Sequence, residues 1–353
     1  MKPIYRFSDQ LLLWFDSHGR KDLPWQHDKT AYRVWVSEIM LQQTQVSAVI
    51  GYYQNFMARF PNIEVLADAP LDDVLAHWAG LGYYARARNL HKAAQIVTDE
   101  FNGNFPSSLE EITCLPGIGR STAGAILSIV HKNPHPILDG NVKRVLTRLH
   151  DIQGWPGLRD IEKQLWGLAE SYTPTKRCDD YTQAIMDFGA TLCTRANPDC
   201  ANCPFEDACI SRKNNTIAQR PTSKPKKQKP TKELWLIDIR NDKHVLLEKR
   251  PASGIWGGLH SLIELERDYM FEELEDVLTD KLNLKISSLE RTGSFEHIFS
   301  HYKLIAQTVL VHGEFKDTVS ETKNLHWHKQ HNLSSLGLPA PIKKYFTHAG
   351  LVP

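Results

Sequence analysis

The chain has 353 residues, of which 41% are hydrophobic and 24% charged, the balance of a globular protein with room for two or three cored domains. A formal net charge of +1 excludes a uniformly basic coat, so any contact with nucleic acid must depend on local patches. The longest early apolar run, Leu11 to Phe15, is too short for a membrane span or a signal peptide, and we expect a cytoplasmic protein.

From Phe7 to about Ile210, apolar residues recur at helical spacing between short loops marked by Gly and Pro. This pattern predicts an all-α region. In one of its helices Glu38 lies between Val36 and Ile39, within an apolar stretch. A carboxylate in that setting is either turned to solvent or buried with a raised pKa, and both interpretations stay open from the sequence.

Aromatic residues, glycines and arginines are crowded together between Trp78 and Arg88. Such a loop is suited to wedging into a base stack, with Leu81 exposed and with the arginines holding phosphates. The alternative is an ordinary turn between two helices, with the tyrosines in the core.

A glycine hairpin follows the helix that ends at Leu115. Gly117 and Gly119 permit a turn that side chains would block, and a second helix is predicted from about Ser121 to Val130. The open N–H groups at the start of that helix suit an anion such as a DNA phosphate. An ordinary helix-turn-helix corner is the competing interpretation.

Asp139 lies in the string Leu138-Asp139-Gly140-Asn141, which indicates a turn followed by a helix that the aspartate caps. If the fold brings Asp139 and Glu38 across one pocket, one carboxyl group can act as an acid while the other stabilises a cationic sugar.

Four cysteines fall within 17 residues, and in a reducing compartment this spacing indicates a metal site. Spacing alone does not distinguish zinc from an iron-sulfur cluster. Cys114 and Cys178 lie outside the group and are interpreted as packing residues. The four clustered cysteines are Cys193, Cys200, Cys203 and Cys209.

Residues 211–232 carry eight Lys or Arg and three prolines, without an acidic residue, which is typical of an extended basic linker. Alternating apolar patterns then predict strands at Leu234 to Arg240, at Lys243 to Lys249 and at Tyr302 to Val311. A second, α+β domain therefore begins near residue 232.

Taken together, the strings SEIMLQQTQV, GLGYYARARNL, LPGIGRSTAG and LDGNVKR and the four-cysteine group resemble the helix-hairpin-helix DNA glycosylase (endonuclease III) superfamily. Within it the chain resembles the MutY family, adenine DNA glycosylases that remove adenine mispaired with 8-oxoguanine. The resemblance covers nearly the whole chain and weakens at residues 150–180 and after 265.

This resemblance implies a multi-domain protein. An all-α glycosylase region at 1–213 comprises a six-helix barrel at about 29–136 and a cluster lobe at about 1–28 and 137–213. A basic linker at 214–231 then leads to a MutT-like (Nudix-like) recognition domain at 232–353.

The same resemblance implies roles for individual residues. Glu38 is the general acid that protonates adenine N7, and Asp139 stabilises the oxocarbenium ion. The four clustered cysteines hold a [4Fe-4S] cluster. Trp25, Gln26, Gln183 and Ser121 line the adenine pocket. Contacts to DNA are implied for Gln42, Leu81, Tyr83, Arg86, Gly117, Gly119, Lys143, Phe299, Ser300 and His301.

Lyase-capable relatives carry a lysine in the hairpin where this chain has Ser121. A hydroxyl group cannot form a Schiff base with the sugar carbonyl, so we expect a glycosylase without efficient strand cleavage. In the last domain the string Phe299-Ser300-His301 is implied to read 8-oxoguanine. Val277 and Thr279 stand where the Nudix hydrolase signature has glutamate and glycine, so recognition alone is expected there.

The sequence therefore predicts a monomeric DNA repair enzyme, associated with the nucleoid and without a membrane partner. It is expected to excise adenine opposite 8-oxoguanine, and opposite guanine, in double-stranded DNA by base flipping. Two alternatives remain: an endonuclease III-like glycosylase of other specificity, and a non-catalytic DNA-binding module.

Overall fold

A computed structural model describes residues 3–225, 228–241, 243–251, 254–299, 302–315 and 324–352. Contacts divide the chain into two compact units, Met1–Asp68 with Asn89–Lys226 and Ala69–Arg88 with Lys227–Pro353. Across the described ranges, no helix has the length and apolar character that crossing a lipid bilayer requires.

The chain up to residue 213 is helical, as predicted. Single turns of 3-10 helix at Pro24–Gln26 and Ile217–Gln219 and a π-helical turn at Phe188–Leu192 interrupt the α-helices. The α-helices are α1 (Pro3–His18), α2 (Ala31–Leu41), α3 (Val46–Arg59), α4 (Ile63–Asp68), α5 (Leu71–Trp78), α6 (Ala85–Phe101), α7 (Leu109–Cys114), α8 (Arg120–His131), α9 (Gly140–Leu149), α10 (Arg159–Tyr172), α11 (Cys178–Asp187) and α12 (Ile210–Lys213).

Helix α8 is the central helix of the first unit. Every residue from 123 to 129 is buried, and the helix packs against α2 on one side and α11 on another. Small residues at Ala123, Gly124 and Ala125 allow this close packing, while Ile126 and Leu127 fill the core. Each buried Ile or Leu contributes about 2 kcal/mol through the removal of apolar surface from water. The two helices that flank α8 are thereby fixed relative to each other.

A mixed seven-stranded sheet forms most of the second unit, with the path β3-β2-β1-β6-β5, β4 pairing with β1 and β7 with β2. Strands β1 and β6 run parallel, and the other pairs are antiparallel. Its elements are β1 (Thr231–Arg240), β2 (His244–Lys249), β3 (His260–Ser261), β4 (Ile263–Glu266), α13 (Leu274–Leu282), β5 (Leu284–Ile298), β6 (Lys303–Phe315), β7 (Leu325–Lys329) and α14 (Ala340–His348).

Helices cover both faces of β1. Trp235 and Ile237 belong to the core shared with α13, because alternate residues of a strand face the same side. On the opposite face the hydroxyl of Tyr345, in α14, donates to Asp238 Oδ2 at 2.9 Å. This arrangement confirms the predicted α+β class of the second domain.

The predicted linker is partly packed. Arg148 Nε donates to the carbonyl oxygen of Arg220 at 3.0 Å, and the backbone N–H of Gly154 donates to Thr222 Oγ1 at 3.2 Å. These contacts hold residues 220–222 on the first unit, whereas composition alone predicted an extended chain. The contact-based units also assign residues 69–88 to the second unit, so the domain limits given above stay predictions.

Candidate active site

A cavity of about 390 Å³ opens in the first unit between α2, the start of α8, the start of α9 and α11. It gathers residues from distant parts of the sequence that were predicted to act together. Those that line it are Trp25, Glu38, Gln42, Ser121, Asp139 and Gln183.

Glu38 reaches this cavity from α2, where it is half-buried. Its neighbours in the chain, Ser37 and Ile39, are buried. Burial raises the pKa of Glu38 to about 8, and the negative charge of Asp139 adds to that rise. This raised pKa favours the protonated form of Glu38 at neutral pH, which agrees with the second of the two interpretations left open by the sequence.

Asp139 is the N-cap of α9, as the sequence predicted. Its Oδ1 accepts from the backbone N–H of Val142 at 2.8 Å, and its Oδ2 accepts from Asn141 Nδ2 at 3.2 Å. Burial raises the pKa of Asp139, while these hydrogen bonds oppose the rise by favouring the charged form. The negative charge of Asp139 is in turn the second cause, after burial, of the raised pKa of Glu38.

One wall of the cavity comes from the segment after α1. Trp25 is 4% exposed and packs edge-on against Tyr53, with 5.5 Å between the ring centroids. Gln26 Nε2 donates to Gln183 Oε1 at 3.2 Å. The predicted adenine-pocket residues Trp25, Gln26 and Gln183 are thus brought together.

An ion pair that the sequence analysis missed joins this segment to α11. Arg20 donates to Asp187 through its backbone N–H at 2.8 Å and through Nη2 at 2.6 Å, and both residues line the cavity. Asp187 follows Gln183 by one helical turn, so its position on the same face of α11 was a usable signal.

The predicted glycine hairpin forms. Gly117 has a φ of +80°, and a Cβ atom there would lie 2.8 Å from Cβ of Asn89, so only glycine fits. Gly119 is the N-cap of α8. Lys143 lies outside the cavity lining, with its Nζ 2.6 Å from Glu162 Oε1. The DNA contacts of Gly117, Gly119 and Lys143 stay predictions.

The loop that carries Leu81, Tyr83 and Arg86 belongs to the second unit, and it corrects one expectation. Leu81 is only 7% exposed, whereas Tyr83 is 55% exposed and has a φ of +51°. Arg86 Nη2 donates to the carbonyl oxygens of Leu81 and Gly82 at 3.3 and 3.2 Å. The expected exposed leucine is therefore buried, and the guanidinium group of Arg86 shapes the loop.

Of the predicted 8-oxoguanine string, Phe299 lies against Trp256 and Tyr302, with ring centroids 5.6 and 4.8 Å away. Ser300 and His301 lie outside the described residues.

The four clustered cysteines line a single second cavity in the first unit. Burial raises the pKa of Cys203 to about 12, so a thiolate there requires positive charge nearby. Within the described ranges, no three or more His, Cys, Asp or Glu side chains are grouped to hold one metal ion. Cys178 is buried as expected, but Cys114 is exposed, which corrects its interpretation as a packing residue.

Arg144 and Arg148 support the first of these cysteines. Arg144 Nε donates to the carbonyl oxygen of Cys193 at 2.8 Å, and its Nη2 donates to Asn141 Oδ1 at 2.7 Å. Arg148, 2% exposed, donates through Nη1 to the carbonyl oxygen of Thr194 at 2.6 Å. The loop with Cys193 is thus hydrogen-bonded to the start of α9.

Two family models and two solved structures indicate the class of protein to which the chain belongs. Residues 36–171 match the family model of HhH-GPD superfamily base excision DNA repair proteins, and residues 234–348 match that of the NUDIX domain. A thermostable thymine-DNA glycosylase is similar in structure, with a TM-score of 0.55 and 26% identity, over 60% of this chain and 96% of that one. The structure of an endonuclease III-DNA complex shares the fold, with a TM-score of 0.52 and 21% identity, over 60% and 96%.

Relatives that match along nearly the whole chain give the family. The adenine DNA glycosylase of Buchnera aphidicola (subsp. Schizaphis graminum) is 41% identical over 342 residues, which are 97% of this chain and 98% of that protein. The adenine DNA glycosylase of Homo sapiens is 33% identical over 97% of this chain and 74% of its own length. The chain belongs to the adenine DNA glycosylase family.

The ion pair between Arg20 and Asp187 is expected to stabilise the fold. We expect Asp187→Asn to lower the free energy of unfolding by about 2 kcal/mol, because a buried partner of a charged group is neutralised. Denaturant unfolding measures this. Asp180→Asn on the same helix is the control, since its pair with Arg177 is exposed and is worth about 0.5 kcal/mol. Equal losses of stability in the two variants would contradict a special stabilising effect of the pair between Arg20 and Asp187.

Proposed function

We propose that this chain hydrolyses the N-glycosidic bond of adenine mispaired with 8-oxoguanine, and with guanine, in double-stranded DNA. The observation that carries the proposal is the pair of carboxyl groups, Glu38 and Asp139, that line one cavity in which burial raises the pKa of both. A cavity of about 390 Å³ has room for a flipped base.

Glu38 acts as the general acid. Adenine N7 is a ring acceptor, and its protonation makes the base a better leaving group because electron density is withdrawn from the glycosidic bond. An ordinary glutamate is ionised at neutral pH and has no proton to give. With a pKa of about 8, Glu38 can supply that proton at physiological pH.

Asp139 stabilises the sugar cation that forms as the bond breaks. The N–H group of Val142 and the amide of Asn141 fix the direction of its carboxylate and favour its charged form, against the effect of burial. A carboxylate that is already oriented requires no reorganisation at the moment of reaction. Trp25, Gln26 and Gln183 surround the leaving base in this proposal.

Base removal proceeds without a Schiff base. Arg20 is the sole Lys or Arg among the described residues lining the cavity, and no lysine lines it. Ser121 accepts a backbone hydrogen bond, and the amine of Lys143 is paired with Glu162. These observations support hydrolysis by water, with no efficient cleavage of the DNA strand.

We infer that Cys193, Cys200, Cys203 and Cys209 hold a [4Fe-4S] cluster. A single zinc ion needs its four sulfurs about 2.3 Å from one point, whereas a larger cluster spreads its ligands around a cavity. The four cysteines line one cavity, and this shared position supports the inference of a common cluster. When bound, the cluster supplies positive charge that stabilises the thiolates.

The second unit is proposed to recognise 8-oxoguanine through Phe299, Ser300 and His301. Tyr83, which is exposed and held in a left-handed conformation, is proposed to wedge beside the mispair, with Gln42 contacting the opposing base.

Adenine excision is tested with duplexes carrying 8-oxoguanine:A, G:A, G:T or an oxidised pyrimidine, each followed by treatment with alkali. We expect strand breaks at the adenine of the first two duplexes, and almost none before alkali is added. Glu38→Gln should bind the duplex but remove adenine at least about 1,000-fold more slowly, because the proton donor is lost. Breaks only at thymine or at the oxidised pyrimidine would overturn the proposed specificity, and binding without any break would favour a DNA-binding module.

The cluster is tested by iron and sulfide analysis of the purified protein. We expect four irons and four sulfides per chain, because four cysteine ligands complete one such cluster. Cys203→Ala should lose the visible absorption and unfold at lower temperature, whereas Cys114→Ala, an exposed control, should change neither. Zinc in place of iron would contradict the inference.

A further inference from the structure

Asp139 is reached through a short segment that returns from the end of α8. This return segment comprises residues 133–138, with the sequence Asn-Pro-His-Pro-Ile-Leu. Pro134 and Pro136 fix φ but have no N–H group, so the backbone offers few donors with which to hold its place. Two of those donors go to serine hydroxyls of α8.

The two serines lie two helical turns apart on one face of α8. Ser121 Oγ accepts from the backbone N–H of Leu138 at 2.9 Å. Ser128, which is fully buried, accepts from the N–H of His135 at 3.1 Å, and its hydroxyl lies 3.0 Å from the carbonyl oxygen of the same residue. The register of the return segment against α8 is thereby set at both ends.

Gly124 lies on the same face, between the serines. A Cβ atom at this position would stand 2.6 Å from the carbonyl oxygen of Pro136, a backbone atom that cannot rotate away. The absence of a side chain at Gly124 therefore sets how close the return segment comes to α8.

We propose that Ser121, Gly124 and Ser128 are positioning residues for Asp139, which follows Leu138 directly in the chain. They fix the point at which the chain enters α9 and so the direction of the carboxylate in the cavity. The inference rests on the proposed function for its catalytic consequence, and it gives Ser121 a role that does not require contact with the adenine.

A structural test does not depend on activity. The backbone N–H of Val142 is the donor to Asp139 Oδ1, so its hydrogen exchange reports the geometry of the cap. In Ser121→Ala we expect exchange at Leu138 and Val142 to become about 10-fold faster, because a local opening becomes easier. Ser171→Ala is the control, since Ser171 Oγ donates to Leu168 within α10. Unchanged exchange at Val142 in Ser121→Ala overturns the proposal, whatever the activity.

The catalytic test uses single-turnover excision from an 8-oxoguanine:A duplex. We expect the rate constant to fall about 10-fold in Ser121→Ala and about 100-fold in Gly124→Ala, since small displacements of a catalytic group are costly. Gly167→Ala on α10 is the matched control, because a Cβ atom at this position would meet nothing within 4 Å. This variant should excise adenine as fast as the unmodified chain. The dissociation constant for duplex DNA should stay unchanged in all of them.

A double-mutant cycle separates positioning from a general loss of stability. In an Asp139→Asn background, Ser121→Ala should slow excision less than about 2-fold further, because residues that act through one group are not additive. The same 10-fold loss in both backgrounds overturns the proposal. Absence of excision by the unmodified chain refutes the proposed function instead, and the exchange measurement then decides the inference alone.

Discussion

The capping of α9 by Asp139 is the interaction on which the rest of the site depends. One carboxylate satisfies the N–H group of Val142, starts a helix and faces the cavity. The positive end of the α9 dipole and the cap hydrogen bonds favour its charged form, although burial acts in the opposite direction. A helix terminus thus serves both folding and the proposed chemistry.

The pKa values of Glu38 and Asp139 respond to different surroundings, because the hydrogen bonding of the two carboxyl groups differs. Asp139 has a backbone donor and an amide donor, and these support its charge. Glu38 projects from the middle of α2, where burial is the main influence on its pKa and the charge of Asp139 is the second. Once Asp139 is ionised, its negative charge stabilises a sugar cation and also favours the protonated form of Glu38. The proton on Glu38 and the negative charge on Asp139 therefore depend on the same placement of the two carboxyl groups in one cavity.

Much of this was predictable from the sequence. The helical spacing before residue 213, the strands after 231 and the cap at Asp139 follow from local patterns, and the structure confirms them. The protonation of Glu38 was not predictable, because it depends on burial between helices far apart in the chain. The pairing of Arg20 with Asp187, 167 residues apart, was missed for the same reason.

Errors at single side chains have a local cause. Leu81 was expected to be exposed because it lies in a glycine-rich loop, but Arg86 folds that loop back by binding its carbonyl oxygens. Cys114 was assigned to packing by residue type alone, although it is the last residue of the short helix α7 and faces solvent. Residue type and spacing predict which elements form, whereas the direction of one side chain depends on its neighbours in space.

The central claim is that the cavity keeps Glu38 protonated at neutral pH opposite an ionised Asp139. Carbon-13 NMR of the glutamate carboxyl groups, with Glu38→Gln to assign the resonance, measures it directly. The account predicts a pKa of about 8 for Glu38 and a lower value in Asp139→Asn, because that substitution removes the neighbouring negative charge. A pKa near the ordinary glutamate value of about 4.3, unchanged in Asp139→Asn, would contradict it.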